Sequence, residues 1–134
     1  MPRYPSRAEL EELVSNLDKG KGNQAAFLSR VSPNVDWEVM GSGRFHTLKD
    51  WKEGALDPIN SALKEPLQLR VRNVIGGDRE WAVVELTADS TCKNGMQYPQ
   101  RYAWVMRFDE NGIIVQVRAY LDTQLVQKAM DGNT

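Results

Sequence analysis

Apolar residues recur along the chain first at helical spacing and then at strand spacing. Leu10, Leu13, Val14 and Leu17 fall at i, i+3, i+4 and i+7. They follow Ser6-Arg7-Ala8-Glu9, the spacing of a capping box, so the pattern predicts a helix with one apolar stripe. Lys19-Gly20 is its stop. Asn23 can cap a short second helix carrying Phe27, Leu28 and Val31, with Pro33 just past its end. Val35, Trp37 and Val39 then alternate with Asp36 and Glu38, a half-buried strand that Gly41-Ser42-Gly43 breaks. Thr47-Leu48-Lys49-Asp50 opens a third helix, with Trp51, Ala55, Ile59, Ala62 and Leu63 on its apolar face. Pro58 should kink or split that helix, because proline lacks the donor and crowds the preceding turn.

From Pro66 onward the period is two. Leu67, Leu69 and Val71 alternate with Gln68, Arg70 and Arg72 in a strand that runs to Ile75. Further strands are predicted from about Trp81 to Cys92, Met96 to Phe108 and Ile113 to Leu121. They are separated by the turn sequences Lys93-Asn94-Gly95 and Asp109-Glu110-Asn111-Gly112. Asp122 or Thr123 can cap a last helix with Leu125, Val126 and Ala129 inward. Segregated helices and hairpin-linked strands mean α+β with an antiparallel sheet. No glycine-rich phosphate loop, repeat or linker interrupts the pattern, so the expectation is a single domain over residues 1–134.

Composition narrows the chemistry. Seventeen Lys+Arg against eighteen Asp+Glu leave a net charge of −1 in 134 residues, which argues against nucleic acid or an anionic membrane as partner. A single cysteine, Cys92, and a single histidine, His46, remove disulfide frameworks, multi-cysteine metal sites and sites needing two imidazoles. No apolar run approaches the roughly 20 residues of a membrane span. Met1-Pro2-Arg3-Tyr4-Pro5 lacks the apolar core of a signal peptide, so a cytoplasmic location is expected.

Two stretches carry a resemblance. One is Ser32-Pro33-Asn34-Val35-Asp36-Trp37-Glu38-Val39-Met40-Gly41. The other runs from Asn94-Gly95-Met96-Gln97-Tyr98 through Arg101-Tyr102-Ala103-Trp104-Val105 to Val117-Arg118-Ala119-Tyr120-Leu121-Asp122-Thr123. With the order of elements, they resemble the SnoaL-like proteins of the nuclear-transport-factor-2-like superfamily, over almost the whole chain. The resemblance implies a cone-shaped α+β barrel, a curved antiparallel sheet wrapped around N-terminal helices with one deep pocket. The superfamily holds polyketide cyclases, ketosteroid isomerases, epoxide hydrolases, dehydratases and binding proteins without catalysis, so fold alone does not give function. The aspartate that polyketide cyclases and limonene-type epoxide hydrolases carry in their last strand aligns with Ala119, which cannot move a proton. The arginine and second aspartate of those hydrolases align with Glu85 and Thr87. The base of ketosteroid isomerases falls near Trp37 or Glu38. An enzyme built on this chain therefore needs its own residue set.

Parity selects candidates for that set. Tyr98, Gln100, Tyr102, Trp104, Met106 and Phe108 share one face of their strand, and the likeness makes it the concave face. Tyr98 and Tyr102 are then candidate donors to a developing oxyanion. Trp37, Val39, Trp51, Trp104, Ala119 and Leu121 are candidate substrate-binding residues, unless the aromatics simply fill a core. His46, just before a helix N-terminus, is either a neutral general base at the pocket mouth or an exposed loop residue. Glu85 is either an inward, desolvated carboxylate with a raised pKa or a surface charge. Asp122 is either catalytic or a helix cap. Arg118 and Tyr120 have the opposite parity and belong to an outer face through which superfamily members often pair.

These readings lead to an expected function. It is a cofactor-independent isomerase or cyclase, without bound metal, moving protons on an apolar oxygenated small molecule of polyketide or terpenoid type in secondary metabolism. A homodimer through the outer sheet face is expected with it. The alternative is a small-molecule-binding or dimerisation domain of the same fold with no turnover. A cavity that none of His46, Glu38, Glu85 and Asp122 reaches would favour that alternative.

Overall fold

The structure is a computed structural model, and it describes residues 2–133. Met1, which opens the segment read for a leader, and Thr134 lie outside the described residues. Helix α1 spans Arg7–Ser15 and α2 Gln24–Leu28. Strands β1 (Val31–Val39) and β2 (Gly43–Phe45) follow, then α3 (Leu48–Trp51), a π-helical turn (Lys52–Leu56) and α4 (Asp57–Ala62). Strands β3 (Leu69–Ile75), β4 (Trp81–Thr91), β5 (Gln97–Phe108) and β6 (Ile114–Leu121) precede α5 (Thr123–Asn133).

The helix starts form as their caps dictate. Ser6 Oγ accepts from Glu9 N at 3.1 Å, and Glu9 Oε1 accepts from Ser6 N at 3.0 Å, closing the capping box. Asn23 caps α2 and Thr47 caps α3 with a single bond each, the side-chain oxygen accepting from Ala26 N and Asp50 N respectively. Pro58 does not split its helix. The chain widens into the π turn immediately before it, where Asp57 N–H reaches back to the Lys52 carbonyl, and Pro58 then sits in the first turn of α4. The π turn is where the helical ladder accommodates the donor that Pro58 lacks.

The strands form one sheet in the order β2-β1-β6-β5-β4-β3. It is open, with β2 and β3 at its edges, and it is mixed, because β1 runs parallel to β6. That corrects the purely antiparallel expectation. The pattern missed β2 because a glycine-flanked triplet has no period of its own. Gly41, at φ 80, turns the chain so that Gly43, Arg44 and Phe45 pair back onto Val39, Glu38 and Trp37. Register shifts in β1, β3 and the β5–β6 pair add bend to the sheet.

The core fills the concave side. Leu10, Leu13, Val14 and Leu17 of the first helical segment are buried there, with Phe27 of α2. On β5 the even positions Tyr98, Gln100, Trp104, Met106 and Phe108 are buried, while Pro99 and Arg101 are exposed. Asp18 ties the end of this helical layer to the β3 edge. Its carboxylate accepts from Gly20 N and from Val71 N, each at 2.9 Å. Among the described residues, no helix is long and apolar enough to cross a membrane.

Candidate functional site

A cavity of about 270 Å³ lies between the concave face of the sheet and a wall built from α2, the π turn, α4 and α5. Strand alternation supplies its sheet side. Trp37 and Val39 come from β1, Tyr98, Tyr102 and Trp104 from β5, and Ala119 and Leu121 from β6. The pairing puts Val39, Ala119 and Trp104 in one row across three strands, and Leu121 beside Tyr102 in the next inward row. Trp51, from the end of α3, covers the Trp37 ring at 3.9 Å between centroids and 19° between planes. Trp104 meets Trp37 edge-on at 5.3 Å and 79°, and Tyr102 meets Trp104 edge-on at 6.1 Å and 70°. Aromatic contacts of this kind fix the ring planes.

Polar groups converge at one end. Gln100 is fully buried, and its Nε2 donates to Tyr98 Oη at 3.2 Å and to the Asp122 carbonyl at 2.9 Å. Tyr102 donates a further hydrogen bond to the Tyr98 hydroxyl, which lowers the Tyr98 pKa and raises its own. Burial outweighs this for Tyr98, whose phenol ends above the ordinary range. Burial also pushes Tyr102 well above that range, with the neighbouring Tyr98 adding to the rise. Both groups are therefore neutral donors near pH 7 and poor bases. The Trp37 indole N–H is buried with no hydrogen-bond partner among the described residues. A buried donor left in this state costs about 1–3 kcal/mol.

Eight of the eleven candidate residues thus line one cavity: Tyr98, Tyr102, Trp37, Val39, Trp51, Trp104, Ala119 and Leu121. The remaining three lie elsewhere. His46 is exposed and absent from the lining. The loop expected around it is strand β2, where Phe45 takes the inward position opposite Trp37, so the next residue turns out toward Asp36. Glu85 is exposed on the convex face, where its Oε1 accepts from Asn73 Nδ2 at 2.9 Å. Its neighbours Val84, Leu86 and Ala88 take the inward positions. Asp122 is exposed and caps α5, accepting from Leu125 N at 3.0 Å. No Asp, Glu, His, Lys or Arg belongs to the described lining, and no group of three potential metal ligands occurs among the described residues.

Sequence reasoning passed over several lining residues. Gln24, Leu56 and Met130 are among them, in the wall opposite the sheet beside Leu28 and Val126, which the helical spacing marks. Their side chains follow from how the helices dock, which no local pattern encodes. Gln100 was marked by its inward parity, but its role emerges only from the pairing of β5 with the end of β6.

An NTF2-like protein from Burkholderia thailandensis superposes with a TM-score of 0.71 over 89% of this chain and 95% of its own, at 18% identity. The chain has the nuclear-transport-factor-2-like fold. That is the fold its SnoaL-like resemblance implied. No protein-family profile matches the sequence. The dimerizing cyclase phiC of Fungal sp. (strain ATCC 74256) is 26% identical over 139 residues, covering 98% of this chain and 62% of that protein. The dimerizing cyclase tstC of Talaromyces stipitatus is 24% identical over 150 residues, covering 98% and 67%. This NTF2-like chain therefore spans about two thirds of the length of the cyclases it is similar to.

Proposed function

We propose that this NTF2-like chain is a cofactor-independent cyclase or isomerase acting on an apolar, oxygenated small molecule of polyketide or terpenoid type. The observation that carries the reading is the Tyr102–Tyr98–Gln100 hydrogen-bond chain at the end of an aromatic cavity free of charged side chains. Likeness to two dimerizing cyclases supports the cyclase over the isomerase.

The chemistry differs from an aspartate mechanism. A hydroxyl has one proton and two lone pairs. Tyr98 accepts from Gln100 and from Tyr102, so its own proton is available to an oxygen in the cavity. Bound there, a carbonyl oxygen gains negative charge as a ring closes, and a preorganised donor in a dry site stabilises that charge. When the attacking carbon belongs to an enol, the enol proton passes to the new alkoxide through the paired hydroxyls. No carboxylate or imidazole is required, and no proton is gained or lost overall. The expected base roles of His46, Glu85 and Asp122 have no place in this scheme, because their side chains lie outside the cavity.

Incubation of the purified protein with uncyclised polyketide-type and terpenoid-type carbonyl compounds, with products followed by mass spectrometry, tests the proposal. A cyclised product lost in Tyr98→Phe and Tyr102→Phe supports it. Unchanged cyclisation in both variants overturns the assignment. The second reading is ligand binding without turnover, and the uncharged lining favours it. It predicts a molecule recovered unchanged from the purified protein.

A cytoplasmic homodimer joined through the convex face belongs to the same proposal. Tyr120 is 44% exposed there, and Arg118 lies over the half-buried Trp81 ring at 4.9 Å. Sedimentation of the wild type against Tyr120→Glu tests the interface, with a dimer turning into a monomer as the expected result.

A further inference from the structure

We infer that the Trp37 indole N–H is the cavity's recognition point for its ligand, and that it takes a neutral carbonyl-type oxygen rather than a carboxylate. This rests on the reading of the cavity as a small-molecule site and adds the atom and the ligand class. Buried donors in folded proteins are almost always paired. The Trp37 N–H is the one buried side-chain polar atom among the described residues that has no partner, and Trp37 lines the cavity. Its direction is held from two sides. Trp51 stacks on one face at 3.9 Å, and Trp104 packs edge-on at 5.3 Å. The ring cannot swing to find a protein acceptor without breaking both contacts, so the acceptor that fits is one brought in by an occupant.

The lining decides the acceptor's charge. A carboxylate entering here would lose its hydration and meet no Lys, Arg or His among the described lining residues. A ketone, quinone or lactone oxygen loses far less hydration and still satisfies the indole. The surrounding rings Trp51, Trp104 and Phe45 favour a flat occupant. Trp37 pairs with Val117, and Val117 with Met106, whereas Tyr102 lies four residues before Met106 on the same strand. Trp37 and Tyr102 therefore stand in different rows of the sheet, on either side of Trp104. A molecule contacting both carries two oxygens. Trp37 itself is fully enclosed, so contact requires a neighbouring side chain of the wall to shift. The π turn that starts at Lys52 lies where such a shift would be absorbed.

Titration of the ¹⁵N-labelled protein with three probes of similar shape tests this: 9-fluorenone, fluorene and fluorene-9-carboxylate. Fluorenone is expected to move the Trp37 indole ¹H resonance downfield and to bind about tenfold more weakly to Trp37→Phe. Fluorene should bind both proteins alike, and the carboxylate should bind least. If Trp37→Phe does not fold, the indole shift in the wild-type protein decides. An unmoved Trp37 resonance with fluorenone bound, or equal fluorenone affinity in Trp37→Phe, overturns the inference. If fluorenone is then weakened by Tyr98→Phe instead, the small-molecule reading stands with its oxygen at the tyrosines. Absence of binding by all three probes overturns both together.

Discussion

Gln100 pairs with Asp122 as one strand residue pairs with another. Its side-chain Oε1 accepts from Asp122 N, and its Nε2 donates to the Asp122 carbonyl, both at 2.9 Å. The last backbone pair of β5 and β6 is Tyr102 with Leu121, so the side-chain amide extends the ladder past the point where the strands part. The same amide reaches Tyr98 Oη and so connects the start of α5 to the cavity's hydroxyls. Replacing it with Leu removes the side-chain partners of the part-buried Asp122 N–H and carbonyl and one partner of Tyr98 Oη. Gln100→Leu should cost about 2–4 kcal/mol in urea unfolding and blunt the Tyr98-dependent activity. A loss below about 0.5 kcal/mol would show that the amide pairing is dispensable.

Tyr98 and Tyr102 set an alkaline limit. Burial raises both phenol pKa values above the ordinary value, so the folded state holds these protons more tightly than the unfolded chain. The stability this contributes is fully present below about pH 10, the unfolded phenol value, and is lost as pH rises from there through the folded values. Urea midpoints measured from pH 8 to 11.5 should fall steeply above about pH 10 in the wild type and less steeply in the Tyr98→Phe, Tyr102→Phe double variant.

Asp18 sets the acid limit by the opposite sign. The Gly20 N–H, then the Val71 N–H, hold its carboxyl below the usual aspartate range. Its contribution is present above the unfolded value of about 3.9 and is lost as pH falls through that value toward the folded one. Asp18→Ala should cost about 1–2 kcal/mol at pH 7, and the difference from the wild type should narrow below about pH 4. A difference that does not change between pH 7 and pH 2.5 would contradict this.

Gly54 is needed for the wall of the cavity. A Cβ there would overlap the Phe45 ring, which also lines the cavity. Gly54→Ala should displace that ring and cost about 1–3 kcal/mol despite the better helix propensity of alanine. Fluorenone affinity should change in the same variant, whereas a purely surface glycine would leave both readouts unmoved.

His46 provides the negative control. Its side chain is exposed and lies outside the cavity lining, so His46→Gln should leave the proposed cyclisation at the wild-type rate with an unshifted pH profile. A loss of tenfold or more would return the histidine to the reaction.

Local rules were enough for much of this molecule. Ser6 and Glu9 announce α1 because a capping box is a contact within four residues. The even positions of β5 can be read as inward because alternation is a property of one strand. The family likeness then assigns the concave side, and eight candidate residues follow from it. Three fall outside the lining, and two of them sit where an element changes. His46 follows a three-residue strand with no period. Asp122 stands at a strand-to-helix junction. Glu85 lies mid-strand, where the inward Val84, Leu86 and Ala88 set its outward parity against the alternative that the remote alignment left open.

The linear pattern of residues, then, accounts for the element order, the inward row Tyr98, Tyr102 and Trp104, and the scarcity of histidine and cysteine. Hydrophobic periodicity and capping act over a few residues, so they survive translation into one dimension. Folding in space alone places Trp51 over Trp37, leaves the Trp37 N–H unpaired and carries Gln100 to Asp122. Those contacts join residues far apart in the chain through parallel pairing and helix docking. The free energy that selects them is packing of the whole core, which no short stretch of sequence contains.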